Sequence, residues 1–133
     1  MPHLVILYTP QIEAETDMSV LCRSLADVML AQRDEGGKRV FPIGGTRVLA
    51  YPAAHYAVAD GAADYAFVYL NLRMGGGRSE AVKKSAGDEL LACASAHFGS
   101  LLAKRHLGVT LQIDEGLPAY DGKLSNLHPL FNR

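Results

Sequence analysis

Pro2, Arg47 and Arg78 are the residues whose types and settings equip this chain for chemistry. Removal of the initiator methionine would expose Pro2, a secondary amine on a rigid ring, at the mouth of the apolar run Leu4-Val5-Ile6-Leu7-Tyr8. Burial and nearby cations lower the pKa of such an amine and make it a general base near neutral pH. Arg47 enters a strand straight from the glycine turn Phe41-Pro42-Ile43-Gly44-Gly45-Thr46. Arg78 follows Gly75-Gly76-Gly77 and precedes Ser79, which is placed to cap a helix. Glycines such as Gly77 let the backbone approach a ligand closely, and a helix start presents unpaired N–H groups. The guanidinium adds a planar fork suited to a carboxylate. The segment reads as an anion seat, or in plainer terms as a strand-to-helix turn whose arginine faces solvent. An amine base and two arginines in glycine-flanked turns suffice to move a proton on an acidic, conjugated carbonyl compound. Neither nucleophile, metal nor cofactor is required.

The remaining candidates carry less. His3 adjoins Pro2, whereas His55, His97, His106 and His128 show no metal-ligand spacing. The chain has no GxSxG, HExxH, P-loop or dinucleotide fingerprint. Cys22 and Cys93 lie far apart in predicted helices, without a CxxC or zinc spacing, and read as small buried hydrophobes. Tyr65 and Phe67 read as sheet packing.

These groups must be positioned by a small fold. At 133 residues, with 49% hydrophobic and 20% charged, the chain fits one domain spanning residues 1–133. Its net charge of -1 gives no electrostatic case for nucleic acid or an anionic membrane. The longest apolar runs fall short of the ~20 residues that span a bilayer. The beginning lacks a signal-peptide pattern, so the expected compartment is the cytoplasm.

Leu4 to Tyr8 reads as a buried strand. Thr16 or Asp17 is placed to cap a helix reaching about Gln32, with Val20, Leu21, Leu25, Val28 and Met29 on one face. Arg33 to Lys38 is a polar turn, Thr46 to Tyr51 a second strand, and Tyr51 to Asp64 irregular. Ala66 to Met74 alternates as a strand. Apolar residues at Val82, Ala86, Leu90, Ala94, Phe98 and Leu101 mark one face of a long helix from Ser79 to about His106. Lys104, Arg105 and His106 complement its C-terminal dipole, and Gly108 is placed to stop it. Val109 to Ile113 is the last strand, followed by a tail from Asp114 to Arg133 whose Leu127, Leu130 and Phe131 are expected to dock, with a neighbouring subunit as one possible surface. The order is β-α-β-β-α-β, one strand-helix-strand unit per half.

The chain resembles the 5-carboxymethyl-2-hydroxymuconate isomerase family of the tautomerase superfamily. The resemblance rests on Met1-Pro2-His3, Phe41-Pro42-Ile43-Gly44-Gly45-Thr46-Arg47, Ala59-Asp60-Gly61, Asp64-Tyr65-Ala66-Phe67-Val68, Gly75-Gly76-Gly77-Arg78-Ser79 and Asn126-Leu127-His128-Pro129-Leu130-Phe131. These blocks run in the family's order along almost the whole chain, with a short extra stretch around Arg33 to Arg39.

The resemblance implies an α+β fold, a four-stranded mixed sheet with two helices on one face, assembled as a homotrimer. It implies Pro2 as proton carrier and maps Arg47 and Arg78 onto active-site arginines, with His3 and Gly77 beside the substrate. The substrate would be a small 2-hydroxy-2,4-dienoate polycarboxylate, converted to its 2-oxo-3-ene tautomer without cofactor. Positive charge on the arginines would disfavour protonated Pro2. Two departures bear on substrate identity. Leu7 stands where the family members compared carry an acidic residue, and Pro10-Gln11 where they carry an Asn. The alternatives are a superfamily enzyme for another 2-oxo or unsaturated acid, and a non-catalytic module that binds an anionic metabolite through Arg47 and Arg78.

Overall fold

Alternation decides the sheet. In β1 (His3–Tyr8) Leu4, Ile6 and Tyr8 are buried, and in β3 (Tyr65–Met74) so are Ala66, Val68, Leu70, Leu72 and Met74. Successive side chains of a strand point to opposite faces, so each strand has one core face and one open face. The computed structural model describes residues 2–131. Its elements run β1, α1 (Met18–Leu30), β2 (Arg47–Pro52), β3, α2 (Glu80–Leu102), β4 (His106–Glu115) and a short α3 (His128–Phe131).

The strands lie in the order β2-β1-β3-β4. β1 pairs β2 in parallel and β3 in antiparallel, and β3 pairs β4 in parallel. Parallel neighbours need a crossover, and α1 and α2 supply one each. A common hand for both crossovers places both helices on the same side of the sheet, where they pack on one another. The expected mixed sheet with helices on one face is therefore present.

The core lies between that face and the helices. All six apolar positions read at helical spacing in α2, from Val82 to Leu101, are buried. In α1 the buried residues are Leu21, Leu25 and Met29, with Val28 packed partly against them. Val20 departs from the expected stripe and is 52% exposed. It lies about 100° round the helix from Leu21. Asp17, rather than Thr16, caps α1, accepting from the backbone N–H of Ser19 and Val20. Ser79 caps α2 through Val82 N–H at 3.2 Å. In the polar turn, Asp34 accepts from Gly36 and Lys38 N–H, each at 2.9 Å.

The boundary between α2 and β4 corrects the sequence reading. α2 ends at Leu102, with Ala103 as its cap, so His106 is not helical. Arg105 instead pairs with Glu15 and Asp64, each at 3.0 Å. β4 begins at His106, opposite Tyr65, and Gly108 lies within it opposite Phe67. Gly108 therefore admits the Phe67 ring and does not stop the helix: a Cβ there would stand 3.0 Å from that ring. The ladder with β3 satisfies this backbone in place of another helical turn. It also extends β4 through Asp114 and Glu115, which the sequence reading placed in the tail. Part of the tail docks within its own chain, where α3 packs on the 3-10 turn Ile43–Gly45.

Candidate active site

Register assembles the open face of the sheet. His3 pairs with Arg47 on one side and with Arg73 on the other, and Arg73 pairs with Asp114. Arg47, His3, Arg73 and Asp114 thus form one row across four strands. The next rows toward the other end are Leu49, Val5, Asn71 and Gln112, then Tyr51, Leu7, Tyr69 and Thr110. The face grades from cationic at the β1 start to apolar and aromatic at the β1 end.

A cavity of about 650 Å³ opens over the first row. His3, Arg47, Arg73 and Gly75 form its sheet side, and the segment after β4, with Asp121 and Lys123, forms the other. Pro2 is buried immediately before His3. The state of Met1 lies outside the described residues. Partial burial, then the positive charge of Arg47 and Arg73, holds the His3 pKa below its ordinary value, while Asp121 opposes the shift. The shift favours the neutral imidazole, which hydrogen-bonds without adding charge. Asp121 is itself held below the usual carboxylate range, chiefly by its bond to Lys123 at 2.6 Å.

Arg78 is placed differently. Its guanidinium donates to the carbonyls of Gly75 at 3.1 Å and Val40 at 2.9 Å, and lies over the Phe41 ring at 5.9 Å from the centroid. It does not line the cavity, but it braces Gly75, which does. Gly77, with φ of +99°, makes the turn that returns the chain to Arg78, and likewise stands outside the lining. Among the described residues no group of three His, Cys, Asp or Glu side chains is arranged to hold a metal.

The model of the 5-carboxymethyl-2-hydroxymuconate isomerase family matches residues 2–131. The chain belongs to that family. It is 30% identical over 131 residues to the 5-carboxymethyl-2-hydroxymuconate Delta-isomerase of Escherichia coli, covering 98% of this chain and 99% of that one. A crystal structure of a 5-carboxymethyl-2-hydroxymuconate delta-isomerase shares 54% identity and superposes with a TM-score of 0.95, covering 100% of this chain and 94% of that one. A 5-carboxymethyl-2-hydroxymuconate isomerase from Deinococcus radiodurans R1 shares 38% identity with a TM-score of 0.87, covering 99% and 95%. This isomerase family thus accounts for both sequence and tautomerase-like fold.

The two positions read from the sequence as departures lie elsewhere on the chain. Leu7 lines a separate apolar hollow with Tyr56, Phe67 and Tyr69, away from the cationic row. Gln11 donates to the Tyr65 carbonyl at 2.8 Å and to Asp64 at 3.1 Å. Neither lines the His3–Arg47 cavity. Sequence reasoning missed Arg73, leaving it unremarked within the alternating strand from Ala66 to Met74. The available signal was strand alternation: Arg73 is two and four residues from Asn71 and Tyr69, out of phase with the apolar set.

Proposed function

We propose that this chain is a cofactor-independent isomerase that converts 5-carboxymethyl-2-hydroxymuconate to its 2-oxo-3-ene tautomer, with Pro2 as proton carrier. The observation that carries the reading is the row of Arg47 and His3 in the cavity wall, with Pro2, buried and outside the lining, as the residue that precedes His3. The family membership supplies the substrate class.

The chemistry follows from those groups. With Met1 removed, the neutral Pro2 nitrogen takes the 2-hydroxyl proton, directly or through water, and a proton is returned to a distant carbon of the conjugated chain. Negative charge gathers on the 2-oxygen as the proton leaves. Arg47 binds a carboxylate and stabilises that charge, a contact stronger in the transition state than in the ground state. Arg78 binds a second carboxylate on exchanging its carbonyl partners for it, and Gly77 gives the backbone room. His3, neutral, orients the substrate by hydrogen bonding. The cations also favour the unprotonated amine. A positioned base contributes ~10²–10⁴-fold, and orientation and the guanidinium field supply the remainder.

The working form is proposed to be a homotrimer in the cytoplasm. Leu7, Leu49 and Tyr51 stand about half exposed on the open sheet face, apolar surface that a neighbouring copy would cover. The deciding experiment is an ultraviolet assay of 5-carboxymethyl-2-hydroxymuconate ketonisation, on protein whose mass confirms loss of Met1. Saturable turnover well above the solution rate is expected. Turnover at the solution rate would remove this substrate and leave another acid, or simple binding of an anionic metabolite.

A further inference from the structure

We propose that Arg73 is a specificity-determining residue that binds the carboxymethyl carboxylate and so selects a tricarboxylate over the corresponding dicarboxylate. The identity of that ligand rests on the isomerase reading above. The geometry begins with register. Arg73 is the Cα partner of His3 in the antiparallel pair, and both line the cavity with Arg47. Its charge acts on that site, as one of those that lower the His3 pKa.

Arg73 is also uncommitted. It is exposed, and it makes no hydrogen bond or ion pair among the described residues. Two carboxylates near it are already engaged. Asp114, its partner across the ladder, accepts from Asn71 Nδ2 at 2.8 Å, while Asp121 on the far wall is paired with Lys123. An arginine on a strand beside a cavity, with its nearest acids occupied, is a fork presented to a ligand.

Charge matching then sets the ligand. The proposed substrate carries three carboxylates, two on the muconate ends and one on the carboxymethyl arm. Arg47 and Arg78 account for two. Arg73 supplies the third guanidinium, and its place on a paired strand fixes the backbone from which that fork reaches. The arm is borne by C5, the carbon that receives the proton in forming the 2-oxo-3-ene, so holding it adds affinity and also orients the reacting carbon.

The test compares wild type, Arg73→Ala and Arg73→Lys, each confirmed folded by circular dichroism. Calorimetry measures binding of 2-(carboxymethyl)hexanedioate and of hexanedioate, inert saturated forms of the triacid and the diacid. Wild type should prefer the triacid, Arg73→Ala should lose that preference by roughly 10- to 100-fold, and Arg73→Lys should restore part of it. Hexanedioate binding should stay within about twofold, because its two carboxylates do not call on Arg73. In parallel turnover of 5-carboxymethyl-2-hydroxymuconate, Arg73→Ala should raise KM and lower kcat/KM, with kcat falling as far as the arm's hold orients C5. An undiminished triacid preference in Arg73→Ala, or an equal loss for both acids, would overturn the proposal. Absence of wild-type turnover alongside an Arg73-dependent triacid preference would overturn the isomerase reading while the triacid seat stands.

Discussion

Arg78 donates to the Gly75 carbonyl at 3.1 Å, so an arginine assigned to substrate also holds the glycine turn that walls the cavity. Its second bond, to the Val40 carbonyl, ties that turn to the segment leading into β2. One side chain therefore joins the two glycine-flanked stretches that carry Arg47 and Arg78. Arg78→Ala should lower stability by about 2 kcal/mol, from loss of charge-assisted bonds and the contact with Phe41. It should also lower kcat/KM. Urea unfolding and steady-state kinetics measure the two effects. Arg78→Lys keeps the charge without the fork and should recover little of either. Full stability in Arg78→Ala would mean that the brace is idle.

Pro2→Ala, in protein processed to that residue, leaves a primary amine of different geometry. Turnover should fall by roughly 10²–10⁴-fold while the circular dichroism spectrum is unchanged. Arg47→Ala should cost roughly 10- to 100-fold in kcat/KM, with kcat itself reduced, because its contact grows in the transition state. Wild-type kcat in either variant would reassign the chemistry.

Gly44 lies against α3. A Cβ built there would stand 2.9 Å from His128 Cα and 3.0 Å from its backbone nitrogen. Backbone atoms cannot rotate away as a side-chain tip can. Gly44→Ala should therefore displace α3 and cost about 1–3 kcal/mol. Hydrogen exchange should show loss of protection at residues 128–131, with the sheet unaffected. Unchanged protection there would show that α3 adjusts without undocking.

His97 faces Thr16, with Nε2 2.7 Å from Oγ1. Burial holds its pKa below the ordinary 6.5, so the unfolded chain binds this proton at a higher pH than the folded one. Its stabilising effect is thus fully present above the unfolded pKa and falls as pH drops toward the folded value. His97→Gln should flatten the acid-side loss of stability between about pH 7 and pH 5, as followed by urea unfolding. Parallel pH profiles for variant and wild type would place that loss on other groups.

Burial raises the thiol pKa of both Cys22 and Cys93. Both should react slowly with thiol reagents at neutral pH, since the thiolate is the reactive form. The double variant Cys22→Ser, Cys93→Ser should keep wild-type kcat. A large loss would reveal a thiol in the reaction.

Much of this architecture was legible in the chain because its signals are local. The spacing of four, with a last step of three, from Val82 to Leu101 marks the buried face of α2, and Ser79 caps that helix, both written within a few residues. Arg47 beside a glycine turn and Pro2 beside a buried strand are likewise adjacent in sequence. What local pattern could not reach was the partner each residue would meet. The helix reading ran on through His106 because Lys104, Arg105 and His106 suit a helix end, whereas the ladder from Tyr65 to His106 claims that backbone for β4.

Arg73 shows the same division. Strand alternation places it on the side opposite Leu72 and Met74, but not beside His3, seventy residues away. That meeting needs β1 and β3 paired antiparallel in one particular register, and a slip of one residue would turn Arg73 toward the core. Residue types and short-range periods thus supply the amine, the guanidiniums and the elements that bear them. The assembly of Arg47, His3 and Arg73 into one row, and the diversion of Arg78 onto Gly75 and Val40, arise from non-local pairing, whose energy depends on which faces the whole chain can bury at once.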